Sequence, residues 1–244
     1  MAQNIYDTPA FFAGYSRLDR SVRGLDGAPE WPAIRALLPD LRDKRVLDLG
    51  CGFGWFARWA RTEGAAHVLA IDLSENMLSR ARAATGDTAI DYVKADLENL
   101  ELAEAAFDFA YSSLAFHYIE DFARLVRTVY RALAVGAQLV FSIEHPIYMA
   151  SRRPGWMTRD DGRKTWALDS YATEGARTTD WLAKGVVKQH RTLGHHAQHP
   201  DRRRLRRPPC RGVASNACAN RRQPQSRRGP GAADAAPHRS SQMR

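Results

Sequence analysis

The chain has 244 residues, 44% of them hydrophobic, and a formal net charge of +9, which allows one large α/β domain or two small ones. That charge is uneven: residues 195–244 carry 12 Arg, no Lys and 2 acids, leaving 24 basic and 25 acidic groups in residues 1–194. A near-neutral body excludes a broad anion-binding surface, no run approaches the ~20 apolar residues that cross a bilayer, and the three cysteines lack metal-ligand or disulfide spacing.

The opening MAQNIYDTPAFF has no basic segment followed by an apolar one, so no secretory signal is expected and a reducing, cytoplasmic setting is. Residues 1–42 are expected to form a helical lead-in, with Trp31, Ile34, Leu37 and Leu38 at helical spacing and Pro32 in a first turn. From Lys44 apolar strands alternate with helices. RVLDLG (45–50) predicts a strand ending in glycines, WFARWARTEG a helix closing at Gly64, and HVLAID (67–72) a second strand. Ser74 is then a helix cap ahead of Met77, Leu78 and Ala81. DYVKAD (91–96) and FDFAYSS (107–113) are the third and fourth strands. Phe122, Leu125, Val126, Val129, Tyr130 and Leu133 mark one helix face, Gly136 breaks it, and AQLVFSIEH (137–145) is a fifth strand. Such alternation predicts an α/β fold with a mainly parallel, doubly wound sheet that binds ligands at the carboxyl ends of its strands. Residues 146–190, with five Trp or Tyr among polar neighbours, interrupt the rhythm as a lid. The core domain is thus 43–194.

The glycine turn in VLDLGCGFGWF is the chemically informative stretch. Glycines between a strand and a helix let a ligand approach backbone N–H groups. A nicotinamide-binding turn is the rival reading, but Gly50, Gly52 and Gly54 give G-x-G-x-G, not G-x-G-x-x-G. Asp48, two residues before the first glycine, would repel a pyrophosphate and suit an ammonium group.

DLGCGFG, AIDLSENML, KADLENL and FDFAYSSLAFHYIED, in that order over residues 44–145, resemble a class I S-adenosylmethionine-dependent methyltransferase of the small-molecule, ubiquinone-biosynthesis-like group. The resemblance implies that Asp48 and the turn Gly50, Cys51, Gly52 and Gly54 hold the methionine part of S-adenosylmethionine. It implies that Asp72 accepts the ribose hydroxyls, Leu73 and Met77 pack on the adenine, and Asp96 with Leu97 reads its edge. Ser112 and Ser113 would lie under the sulfonium, and Tyr6, Tyr15 and Arg17 would fold over the cofactor's carboxylate. His117 and His145, just past strand ends, are the candidate bases for a small-molecule acceptor, with Glu144 beside the second. No metal, membrane or nucleic-acid partner is expected; an oxidoreductase and a nucleic-acid binder using the basic tail are the alternatives.

The tail from 195 departs from that family. No Phe, Trp, Tyr or Ile follows Trp181, where a helix and two further strands are expected. Arg without Lys, amid Ala, Pro and Gly, suggests a shifted frame in a GC-rich gene. Back-translating from His196 with freely chosen wobble bases and moving the frame by one base yields an amphipathic helix, a glycine and an alternating strand. A basic arm and a disordered extension are the other readings of the tail.

Overall fold

The computed structural model describes residues 3–198 and 211–215. The lead-in is helical in short pieces: 3-10 turns at Ile5–Asp7 and Gly24–Gly27, with α1 (Pro9–Tyr15), α2 (Asp19–Val22) and α3 (Trp31–Arg35). Then come β1 (Arg45–Leu49), α4 (Trp55–Thr62), β2 (His67–Asp72), α5 (Glu75–Ala83), β3 (Ile90–Lys94), β4 (Phe107–Ser113), α6 (Phe122–Ala132) and β5 (Leu133–Glu144). The caps follow the sequence: Ser74 Oγ accepts from the Met77 amide at 3.1 Å and Asp121 Oδ1 from the Arg124 amide at 2.9 Å. One boundary differs from expectation. The helix stops at Ala132, and Leu133 already pairs with Phe107; Gly136, at φ +82°, bends the strand where its register on β4 shifts.

β1–β5 stand in the order β5-β4-β1-β2-β3, every pair parallel. Both faces are covered, which is why the strands read as continuous apolar runs. Leu47 and Leu49 of β1 face one core with Phe116, Leu125 and Phe141. Val46 faces the other, with Trp31, Ile34, Phe56, Phe109, Tyr111 and Val140. Strand alternation puts Asp48 on this second side, fully buried at 1% exposure.

After β5, α7 (Ile147–Ala150) leads into two antiparallel hairpins, β6 (Trp156–Thr158) with β7 (Lys164–Trp166) and β8 (Gly175–Thr179) with β9 (Val186–His190). The second hairpin packs on the lead-in: Val186 joins Ile5 and Phe11, with Tyr6, Tyr15, Tyr118 and Trp181 around them. The Gln3 side chain closes the seam, its Nε2 donating to Gly185 O and its Oε1 accepting from the Val187 amide. α8 (Leu193–Gln198) follows, and β10 (Arg211–Ser215) adds to the free edge of β5 in parallel. The remainder of the basic tail lies outside the described residues. Among those described, no helix is long and apolar enough to cross a membrane.

Candidate active site

A cavity of about 710 Å³ opens at the carboxyl ends of the strands, between the sheet, the lead-in and the second hairpin. Gly50 and Gly52 enter it after β1, Asp72, Leu73 and Met77 after β2, Asp96 and Leu97 after β3, and Ser113, Ala115, His117 and Tyr118 after β4. Tyr6, Tyr15, Arg17 and Arg20 come from the lead-in, Glu144 from the end of β5, and Trp181 and Lys188 from the hairpin. Residues remote in sequence meet here because every parallel strand presents its carboxyl end to the same crevice.

The glycine turn is held by backbone bonds. The Gly50 and Cys51 amides donate to Ile71 O at 2.8 and 3.0 Å. The Gly52 amide donates to Asp72 Oδ2 at 2.8 Å, and the Ser74 amide to Oδ1 at 2.9 Å. Burial raises the pKa of the Asp72 carboxyl, and these amides offset only part of the rise. All three glycines have positive φ, at +74°, +54° and +71°, for different reasons. A Cβ on Gly50 would stand 2.4 Å from Ala115 Cβ, and one on Gly54 2.3 Å from Tyr92 Oη. A Cβ on Gly52 meets nothing within 4 Å, so that backbone borders open space. Gly54→Ala is therefore expected to cost about 1–2 kcal/mol of backbone strain and roughly 1–3 kcal/mol of overpacking. Gly52→Ala should cost the strain alone, so denaturant melts should place its midpoint well above that of Gly54→Ala.

Several expected residues do not line the cavity. Ser112 is fully buried and its Oγ donates to Leu49 O at 2.7 Å; strand alternation sends it into the core and brings Ser113 to the crevice instead. His145 turns away for the same reason: its Nδ1 accepts from the Ile147 amide at 3.3 Å, while Glu144 faces inward. Gly54 starts α4 and packs on Tyr92. Asp48 and Cys51 line a small side pocket of about 70 Å³, which shares Gly50, Gly52, Tyr15, Arg20 and Ser113 with the main cavity. There Asp48 Oδ2 has no hydrogen-bond partner among the described residues. Burial first, then the nearby Asp72 carboxylate, push its pKa up to about 8, against a bond from the Ala57 amide.

Ion pairs that the sequence did not announce also stand at the cavity. Lys188 Nζ lies 2.9 Å from Glu144 Oε2, both buried. Arg20 is hydrogen-bonded to Glu30, and its Nη2 is 3.4 Å from Ser113 Oγ. The signal for Lys188 was present in VVKQH: Val186, Lys188 and His190 share the buried face of an alternating strand, so a lysine faces inward. His117 is buried against Tyr118, with ring centres 4.4 Å apart, and its Nδ1 has no partner among the described residues. Burial first, then the Lys188, Arg20 and Arg191 cations, hold the imidazole well below its usual pKa, hence neutral. A carboxylate at the end of β2, an open glycine backbone and a neutral buried histidine in one crevice suit a diol-bearing, cationic ligand and a second, proton-losing one.

Known proteins share this fold. Residues 47–141 match a methyltransferase domain family. The fold superposes on an S-adenosylmethionine-dependent methyltransferase from Mesorhizobium loti with a TM-score of 0.68 and 62% identity, covering 72% of this chain and 80% of that one. A similar protein from Listeria monocytogenes gives a TM-score of 0.66 and 40% identity over 69% and 80%. The malonyl-[acyl-carrier protein] O-methyltransferase of Enterobacter lignolyticus is 38% identical over 129 residues, 53% of this chain and 50% of that enzyme.

Proposed function

The chain belongs to the S-adenosylmethionine-dependent methyltransferases, and we propose that its main cavity holds the cofactor and a small-molecule acceptor together, with His117 as the proton acceptor. The observation that carries this is the shared crevice, which brings Asp72, Gly52 and Asp96 together with His117 and Tyr118. The residues present fit the cofactor. Asp72 offers two oxygens to a diol, Leu73 and Met77 an apolar wall, and Gly52 open backbone. Asp48, buried with an oxygen lacking a partner among the described residues, suits the ammonium of the methionine part.

When bound, S-adenosylmethionine supplies a methyl carbon on a positive sulfur; the acceptor's electron pair forms the new bond to that carbon as the carbon–sulfur pair leaves on sulfur. The chain's own contribution is mostly alignment, which in oriented reactions is worth roughly 7–11 kcal/mol. The lead-in and hairpin exclude water, with Tyr6 and Trp181 closing the crevice. His117, kept neutral, takes the proton that the acceptor loses.

Asp48 makes the reading testable through pH. In the free protein its carboxyl, at about 8, is largely protonated at neutral pH. An ammonium beside it favours the ionised form, so binding below pH 8 must release a proton. Calorimetric affinity for S-adenosylhomocysteine is expected to rise with pH up to about 8 and then level off. Asp48→Asn should flatten that slope. Absence of binding at any pH would overturn the assignment of the cavity.

A further inference from the structure

Residues 3–7 form a strap between the second hairpin and α5. Gln3, Asn4 and Tyr6 line the cavity together with Asp72, Leu73 and Met77, so the strap and the segment after β2 wall the same space. Each end of the strap is tied to a different part of the fold. At one end the Gln3 side chain bonds the hairpin backbone, Nε2 to Gly185 O and Oε1 to the Val187 amide, both at 2.9 Å. At the other the Asp7 carboxylate caps α5. Its Oδ1 accepts from the Ser74 hydroxyl and, at 3.1 Å, from the Asn76 amide, and its Oδ2 accepts from the Glu75 amide at 3.3 Å.

The two ties differ in strength. Gln3 is exposed and its bonds are neutral on both sides, so water replaces them at little cost. Asp7 sits at the N-terminus of a nine-residue helix, where bonds to an ionised acceptor are roughly twice as strong. Burial by itself would raise the Asp7 pKa, but the Ser74, Asn76, Asn4 and Glu75 donors outweigh it and hold the carboxyl below its ordinary range. Asn4 Nδ2 reaches Asp7 Oδ2 at 2.6 Å, which stiffens the 3-10 turn into one piece. Ile5, packed with Phe11 and Val186, and Tyr6, 3.2 Å from the Tyr118 hydroxyl, keep the strap shut between openings. The weak tie parts first, and the strong one stays as the pivot.

On the reading that the cavity holds the cofactor, we propose that residues 3–7 are the gate through which S-adenosylmethionine enters and S-adenosylhomocysteine leaves, pivoting at Asp7 and latched by Gln3. Both are positioning residues, since neither is placed at the reacting atoms. The latch lies on the hairpin that also presents Lys188 to the cavity. Lifting the strap therefore loosens that hairpin from the lead-in, and cofactor exchange and hairpin seating become one event.

The probe is radiolabelled S-adenosylhomocysteine, bound to the protein and chased with unlabelled compound to give the release rate. Calorimetry gives the Kd, and the two together give the association rate. Gln3→Ala, which removes both latch bonds, is expected to raise release and association alike by about tenfold and leave the Kd within about twofold. A lost ligand contact would instead raise release and Kd in step, and a purely structural role would lower the melting temperature and move neither rate. Asp7→Ala, which removes the pivot and the cap of α5, is expected to weaken the Kd as well. Bridging Gln3→Cys/Val187→Cys with a short bismaleimide should slow release below that of the natural protein treated alike. Three results would overturn the proposal: Gln3→Ala with both rates unchanged, Gln3→Ala with a Kd that rises with its release rate, or a bridged protein that releases as fast as the natural one. Asp7→Ala with an unchanged Kd would remove the pivot. A protein that does not bind S-adenosylhomocysteine at all sinks the underlying reading instead, so the two failures are told apart.

Discussion

Asp72→Ala is expected to weaken binding of S-adenosylhomocysteine by at least about a hundredfold, because two hydrogen bonds to a charged acceptor are worth roughly 1.5–3 kcal/mol each. The carboxylate sits at the end of β2 and lines the cavity, anchored by the Gly52 and Ser74 amides at 2.8 and 2.9 Å. Those amides also make Asp72 a structural residue. Removing it leaves two N–H groups without their acceptor, at about 1–3 kcal/mol of stability for each one that stays dry. Asp72→Asn removes the charge and keeps an acceptor for only one of the two amides. An intermediate affinity with a smaller loss of stability than in Asp72→Ala is expected. Calorimetry on a folded Asp72→Ala protein showing unchanged affinity would remove the ribose role altogether.

On the proposed reading, His117→Gln should leave the affinity for S-adenosylhomocysteine within about twofold and lower kcat for methyl transfer by about 10²–10⁴. The pH dependence carries the sign of a depressed pKa. The folded imidazole stays neutral below its ordinary range while the unfolded one protonates near 6.5. Its contribution to stability is complete above about 6.5 and is lost as pH falls from there toward the folded pKa. Thermal melts of the natural protein should therefore fall between neutral and mildly acidic pH more steeply than those of His117→Gln. Equal slopes would mean that the imidazole is not held neutral. Equal kcat would mean that the acceptor's proton leaves by another route.

Much of this protein was legible before any fold was in view, and the reason is local. Strands β2 and β4 span His67–Asp72 and Phe107–Ser113, and short continuous apolar runs say as much. The Ser74 cap and the glycine turn are short-range features whose hydrogen bonds close within a few residues. Asp72, Leu73, Met77, Asp96 and Leu97, which the family resemblance singled out, line one crevice because the segments after parallel strands converge there.

What failed was direction and partnership at longer range. Ser112 and Ser113 are neighbours in sequence, yet one bonds Leu49 in the core and the other faces Arg20; only the sheet's placement chooses between them. The same alternation exchanged His145 for Glu144. Lys188 and Glu144 are 44 residues apart, and Tyr6 meets Tyr118 across 112. No local pattern encodes such pairs, since each forms only when hairpin, lead-in and sheet converge and expel the water between them. The amino-acid sequence by itself thus determined the parallel sheet, the glycine turn and the family. The tertiary structure alone decided which charges are buried together in the cavity wall, because burial is a property of the assembled surfaces and not of any one segment.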